Sequence, residues 1–425
     1  MKTVQTAEHI FIIGLKGVAM AGIMTILQQM GKKVSGSDTT EVQITDQMLG
    51  NSSMQIYDLQ SQLPEDIDLV IYSAAHGGSH SSQVKEAMEK KISVLHQAQV
   101  ISSVSEMFDR SVAICGCHGK TGTTALTVFA LLQLGLPVSW LVGTSSFFGV
   151  DESGATVGYA GAHFDPESSL FVYECDEYAV SPPQDLTPKL VFYSPTHAVC
   201  TNIDFDHPDV YRDLEHTRSV FESFFKRCGW VYECNSRSID ENKRGVYALI
   251  DQLDNEGVFE KHIPRENIEN VVKRFGGAKR RLENYGEYGG IIYMDDYGHH
   301  PAEIEATINV LRSKYPDRRI VVLFQSHTYS RTQALKNEFI DALSKADLVY
   351  LDQVFPSARE KPEVNKISSL DLETLARQKG HVHIHSCFSR DDLLAKAKSS
   401  IKSGDLVLTL GAGDIYKAIQ LLQSV

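Results

Sequence analysis

Ser111-Val112-Ala113-Ile114-Cys115-Gly116-Cys117-His118-Gly119-Lys120-Thr121 is an apolar run that breaks into a glycine turn, a lysine and a hydroxyl; residues 125–134 continue in a helix-compatible pattern. Strand, glycine turn and helix together make a phosphate cradle. Gly116 and Gly119 let backbone N–H groups approach phosphate oxygens, and the helix N-terminus adds partial positive charge. Lys120 brings a full charge to the β- and γ-phosphates, and Thr121 offers a hydroxyl to Mg²⁺. The spacing departs from the full Walker pattern, because Ile114 stands where the first glycine would be. The plain alternative is a glycine turn with an exposed lysine.

On both sides of this stretch, short apolar runs alternate with helical patterns, which predicts α/β folding around parallel sheets. Upstream, residues 9–14 and 33–38 read as strands flanking a helix that ends at Gly31. Residues 68–73 read as a further strand, and a helix over 97–108 closes the block. Downstream, residues 143–161 are rich in Gly and Ser and read as loops or short hairpins. The runs 169–177 and 197–207 read as buried strands with acidic ends. Near residue 289 a third block starts, with strands at 291–294, 319–325, 348–353, 381–385 and 406–410 and helices at 302–314 and 331–345. Three domains are expected, over residues 1–108, 109–288 and 289–425.

The chain has 425 residues and a net charge of -13. That balance argues against a nucleic-acid or membrane-surface partner. An anionic ligand must then be held locally, by helix N-termini, lysines, arginines or metal ions. No run is long and apolar enough to span a bilayer and no signal-peptide pattern opens the sequence, so a cytoplasmic location is expected. The 7 cysteines include no C-x-x-C pair and read as reduced thiols.

Further motifs sit where strands are expected to end. Gly14, Gly17 and Gly22 follow a strand and open a helix, and Asp38 ends the next strand, placed for a ribose hydroxyl. Lys16 occupies the middle-glycine position of a dinucleotide fingerprint, so another nucleotide diphosphate fits as well as a nicotinamide. Glu174, Asp176 and Glu177 cluster at one strand end, and Asn202, Asp204, Asp206 and His207 at the next. Oxygen-rich ends beside a phosphate loop suit Mg²⁺, with Glu174 and His207 as the leading candidates; solvated loop residues are the plain alternative. Asp295 to Pro301 contains Asp296 and His299, which suit nucleotide contact. Arg331 follows His327 and can grip a carboxylate with two donors. His381, His383 and His385 alternate onto one expected strand face, but lack acidic or thiol partners at zinc spacing.

In this order, the motifs resemble the Mur ligase family, above all its alanine-adding branch. The resemblance covers nearly the whole chain and extends to Lys279-Arg280-Arg281, His327 to Thr332, Ala358-Arg359-Glu360-Lys361 and Gly411 to Asp414. It implies a Rossmann-like UDP-binding domain, a shortened P-loop ATPase-like central domain and a Rossmann-like C-terminal domain that binds the amino acid. It further implies an ATP- and Mg²⁺-dependent ligase of peptidoglycan synthesis, acting as a monomer or homodimer. Such an enzyme joins L-alanine to the lactyl carboxylate of UDP-N-acetylmuramate through an acyl phosphate. Carried over, Lys120, Glu174 and His207 would be catalytic, and Thr121, Glu174 and His207 would hold metal. Gly116, Cys117, His118, Gly119, Lys120, Thr121, Gly122, Thr123, Asn202, Asp296 and His299 would serve ATP. Gly14, Gly17, Val18, Ala19, Met20, Asp38 and Ser73 would serve the UDP substrate, and Arg281, His327 and Arg331 the amino acid. The resemblance also implies closure of the third domain during turnover.

Two departures from the family pattern stand out. Gly122 replaces the usual hydroxyl residue, and residues 228–275 form a stretch several dozen residues shorter than usual. Ser238 to Lys243 stands in place of an adenine-contacting motif, with Asn242 as a partial substitute. The shortened stretch keeps open a catalytically weak UDP-sugar binder; a ligase that recycles a preformed murein peptide is a further alternative, although His327 to Thr332 resembles the single-amino-acid enzyme more.

Overall fold

The computed structural model describes residues 2–40, 45–49, 54–207, 210–236, 238–356 and 367–423. The motif Ala358 to Lys361 lies outside the described residues. Two compact units divide the chain, Met1–Ala278 and Lys279–Val425.

The first unit carries two sheets. In the first, β1 (His9–Ile13), β2 (Lys33–Ser37), β3 (Ile56–Tyr57), β4 (Leu69–Tyr72) and β5 (Ser93–His96) run parallel in the order β3-β2-β1-β4-β5. The order reverses at β1, so a crevice opens beyond the ends of β1 and β4. Gly14 and Ser73 stand at those two ends.

The second sheet is built from β6 (Arg110–Cys115), β7 (Ser139–Val150), β8 (Thr156–His163), β9 (Leu170–Glu174), β12 (His197–Cys200), β13 (Trp230–Glu233) and β14 (Phe275–Ala278). A separate ribbon pairs β10 (Ala179–Ser181) with β11 (Asp185–Pro188). The main order is β13-β12-β6-β9-β7-β14, with β8 also on β7. Strands β13 to β7 are parallel, whereas β8 and β14 run antiparallel to β7. Residue alternation along β6 sends Ala113 and Cys115 into the core on one face and Val112 and Ile114 into the core on the other. Burial on both faces explains the unbroken apolar run. The strand order diverges at β6, with β9 and β7 on one side and β12 and β13 on the other, which places the phosphate loop between the ends of β9 and β12.

The second unit holds β15 (Glu283–Tyr288), β16 (Ile291–Asp296), β17 (Arg319–Phe324), β18 (Leu348–Leu351), β19 (Ile384–Ser386) and β20 (Asp405–Leu410) in the order β15-β16-β20-β17-β18-β19. All neighbours are parallel except the β15–β16 pair. The α/β reading thus holds in both units.

Three local expectations change. Residues 143–161 fall within one long hairpin of β7 and β8 rather than loops or short hairpins. Gly161 sits where backbones close in, since its Cβ would overlap Thr144 O, whereas a Cβ on Gly154 or Gly158 would meet no atom within 4 Å. The phosphate-loop helix begins at Lys120 and not at 125, because left-handed Gly119 (φ +80) serves as its N-cap. The expected strand over 381–385 shrinks to β19, so His381 and His383 lie outside it and the three histidines share no strand face. The first unit ends at Ala278, and β15 pairs with β16 inside the second.

Candidate active site

The phosphate loop is fastened to the end of β12. Gly116 has φ +122, and a Cβ there would come 2.8 Å from Asn202 O, so no larger residue fits. Cys117 N–H donates to Asn202 O (3.2 Å), and His118 N–H donates to Asn202 Oδ1 (3.1 Å). Asn202 Nδ2 returns a bond to His118 O (2.7 Å). Both ends of this amide are engaged on loop backbone, so Asn202 braces the loop. His118 Nε2 lies 3.4 Å from Asp204 Oδ2. Thr123 Oγ1 donates back to Gly119 O (2.8 Å), which leaves that hydroxyl a helix-stabilising part. At Gly122 a Cβ would meet no atom within 4 Å, so the departure from the family pattern leaves open space there.

Helix Lys120–Gln133 starts with no acidic residue in its first turn and no side-chain cap, which suits an anion. Lys120 Nζ donates to Gly116 O (2.8 Å) and to Glu177 Oε2 (2.7 Å). Burial alone would lower the lysine's pKa, but Glu177, then Asp176 and Glu174, raise it above its ordinary value. Burial likewise pulls Glu177 upward, and Lys120 and His207 overcome that and hold its carboxyl below the usual range. Thr121 Oγ1 donates to Glu174 Oε1 (3.1 Å), and Gly143 N–H on β7 donates to Glu174 Oε2 (2.9 Å). His207 Nε2 lies 3.2 Å from Glu177 Oε1 and 3.5 Å from Asp206 Oδ2. Ligand atoms of Glu177, Asp206 and His207 all lie within 4.8 Å of one another, the one such group among the described residues. Oxygen donors of Thr121 and Glu174, together with this neighbouring group, suit a hard divalent cation.

At the first sheet, Gly14 (φ +76) turns the chain into helix Val18–Gln29. Gly17 is its N-cap, without a side-chain cap bond, so the predicted Val18, Ala19 and Met20 contribute the first helical N–H groups. Gly22 lies on this helix, where a Cβ would overlap Leu141 of β7; it is there for close packing. Asp38 accepts from Lys16 N–H (2.6 Å) and Thr39 N–H (2.7 Å), which shapes the turn. Ser73 Oγ accepts from Ala75 N–H (3.4 Å). His76 was missed by sequence reading: its Nε2 is 3.8 Å from Asp38 Oδ1, and its ring lies directly over Gly14. With Gln60, Ser81, Ser82 and Gln83 it lines a cleft beyond β1.

In the second unit, Arg280 is buried. It donates to Asp295 Oδ2 (3.0 Å), Gly413 O (2.9 Å) and Gly411 O (2.6 Å), and so ties β16 to the turn after β20. Arg281, the predicted amino-acid contact, lies over the Tyr297 ring at 5.0 Å. The Asp296 carboxylate accepts from Leu282 N–H and Gly298 N–H (both 2.8 Å), and so shapes the loop that carries His299. Burial pushes its carboxyl up to about 6, against the nearby charge of Arg281. The rings of His299 and His327 are 6.1 Å apart, and His327 stacks on Phe355. Arg331 stands in the short helix capped by Thr328, whose Oγ1 accepts from Arg331 N–H. Those motifs therefore share one end of the sheet.

Comparison with known proteins follows the same layout. Profiles described as "Mur ligase family, catalytic domain" and "Mur ligase, glutamate ligase domain" match residues 9–109 and 280–413. A UDP-N-acetylmuramate–L-alanine ligase of Desulfitobacterium hafniense is 30% identical over 466 residues, spanning 97% of this chain and 99% of the relative. The chain belongs to the Mur ligase family. Among solved structures, a UDP-N-acetylmuramate–alanine ligase from Thermotoga maritima matches with a TM-score of 0.72 at 19% identity, covering 98% of both chains. A murein peptide ligase from Psychrobacter arcticus matches with a TM-score of 0.68, also at 19% identity and 98% of both chains. These two share the fold.

In this Mur ligase, the structure brings Lys120, Thr121, Glu174 and His207, all named from the sequence, to one end of the central sheet. The sequence did not single out Glu177, Asp206 or Gly143 beside them, nor Tyr211, whose hydroxyl donates to Glu177 O (2.6 Å). Glu177 and Asp206 stood in the acidic clusters already noted, but both lie beyond regular strand, where alternation says nothing about direction. Asn242 lies against the loop: its Nδ2 is 2.8 Å from where a Cβ on Gly119 would sit.

Proposed function

We propose that this ligase joins L-alanine to the lactyl carboxylate of UDP-N-acetylmuramate, using ATP. What carries the reading is the meeting of a phosphate-loop lysine with Glu174, Glu177 and His207 at one sheet end, in a chain alignable almost end to end with an alanine-adding relative. In the reaction, a carboxylate oxygen takes the γ-phosphoryl group and ADP leaves. The alanine amine then attacks the acyl carbon, inorganic phosphate departs and the amine loses a proton.

Each residue's part follows from its place. Lys120 neutralises charge on the transferred group, and loop N–H groups and the helix N-terminus hold the flanking phosphates. Mg²⁺ would be held by Thr121 and Glu174, and by His207 with Glu177 and Asp206; a divalent cation there neutralises phosphate charge. The turn after β1 and the start of helix Val18–Gln29 bind the UDP moiety, with His76 added to the residues named from sequence. Arg281, His327 and Arg331 orient the amino acid, and His299 serves the nucleotide. We retain 108/109 as the boundary between the UDP-binding and ATP-binding domains, with the third beginning at Lys279. No helix among the described residues is long and apolar enough to cross a membrane. We take the chain to act in the cytoplasm as a monomer or homodimer.

The deciding experiment is phosphate release with ATP, Mg²⁺, UDP-N-acetylmuramate and L-alanine, each left out in turn. Release should need all four and fall by about 10²–10³-fold in Lys120→Ala. Release with a murein tripeptide but not with alanine would replace the amine. UDP-sugar binding without release under either condition would overturn the ligase reading.

A further inference from the structure

Lys189 is part of no motif above, yet its side chain is only 1% exposed. Burying an ammonium is costly, and an apolar side chain of similar length would ordinarily serve packing as well or better. The position of this charge gives it a purpose. Lys189 N–H donates to Tyr178 O (3.0 Å), which fixes the residue beneath the turn following β9. Its Nζ lies 3.5 Å from Asp176 Oδ2 and 3.8 Å above the Tyr178 ring. The Tyr178 ring in turn meets the His207 ring at 5.5 Å. From the other side, Tyr211 OH donates to Glu177 O (2.6 Å), and Tyr211 N–H donates to His207 O (3.0 Å). Glu177 and His207 are thus held between two residues, and the charged one grips both neighbours of Glu177 along the chain.

We propose that Lys189 is a positioning residue that sets Glu177 and His207 for a divalent cation, acting through Asp176 and Tyr178. This rests on the metal-dependent ligase reading above. The ammonium fixes the turn by an ion pair and by attraction to the ring face, and the ring limits where the His207 imidazole can lie. It also offsets the carboxylates crowded at this sheet end, which stay close together only while cations lie near them. Supporting residues of this kind orient metal-binding side chains without touching the ion.

The test is Mn²⁺ binding to the full chain, followed by electron paramagnetic resonance, beside the Mg²⁺ dependence of phosphate release and thermal unfolding. Lys189→Met should weaken Mn²⁺ binding about 10–100-fold and raise the Mg²⁺ needed for half-activation in parallel. Lys189→Arg should recover most of both. Unchanged Mn²⁺ affinity in a folded Lys189→Met chain would overturn the proposal, as would equal losses in the Met and Arg variants that merely track unfolding. If Lys189→Met does not fold, Tyr178→Leu removes the ring while keeping the ion pair, and the same weakening is expected; wild-type affinity there would overturn the proposal. An unaltered chain that binds no Mn²⁺ and releases no phosphate overturns the ligase reading along with it. Normal binding and turnover with unaffected variants overturns the Lys189 role alone.

Discussion

Glu177 gives one carboxylate oxygen to Lys120 and the other to His207. Removing one partner of a buried ion pair strands the other, so Glu177→Gln should destabilise the first unit by roughly 3–5 kcal/mol and abolish phosphate release, read by urea unfolding and the release assay. Asp296 gives a pH prediction. Its folded carboxyl titrates near 6, above the ordinary 3.8, so the folded chain binds this proton more tightly than the unfolded one. Its contribution therefore falls as pH rises through that window and is restored as pH drops from about 6 towards 3.8. The stability difference between the unaltered chain and Asp296→Asn should move in favour of the unaltered chain as the pH is lowered from 7. A difference that does not change with pH would refute the burial argument. At this scale the sequence showed residue types at strand ends but not the direction of side chains. Glu174 was legible because it closes a strand, whereas Asn202 and Asp296 turn their polar ends onto backbone, which no spacing reveals.

Strand β7 supports the site through a glycine. A methyl on Gly143 would overlap the Glu174 carboxylate that its N–H now holds. Gly143→Ala should therefore cost activity more than stability: Glu174 can swing aside, but only by leaving Thr121. We expect about a tenfold or larger fall in phosphate release with a nearly unchanged melting temperature; unaltered release would show that Glu174 tolerates the shift. Parallel strands such as β6, β9 and β17 were legible as unbroken apolar runs. The β7–β8 hairpin was not, because its glycines and serines read locally as loop; at Gly161 the near backbone of Thr144 is what requires a glycine. Nor was β15, whose sequence Glu283–Tyr288 is mostly polar and half in solvent, as suits an edge.

For the molecule as a whole, the break at 278/279 predicts which fragment survives alone. Residues 279–425 keep β15 and Arg280, so they should fold cooperatively when expressed separately. Residues 289–425 lose both, which bares the edge of β16 and leaves buried Asp295 without its arginine, at a cost of roughly 3–5 kcal/mol. That shorter piece should aggregate or unfold; equal stability of the two by circular dichroism would refute the assignment. Composition, alternation and motif order were enough to read α/β folding along the chain, whereas the antiparallel pairing of β15 with β16 was not legible. The thiols give the fold a built-in stopwatch. Cys115 and Cys200 face each other in register on β6 and β12, and with Cys117, Cys175 and Cys387 they are buried, leaving only Cys228 and Cys234 partly exposed. A colour-forming thiol reagent should thus count two fast-reacting sulfurs and five slow ones. Four of the slow sulfurs, Cys115, Cys117, Cys175 and Cys200, lie in or beside the phosphate loop of the first unit, and Cys387 lies in the second. The rate of those four then times how often the strands beneath the loop come apart, and a bound nucleotide should slow it.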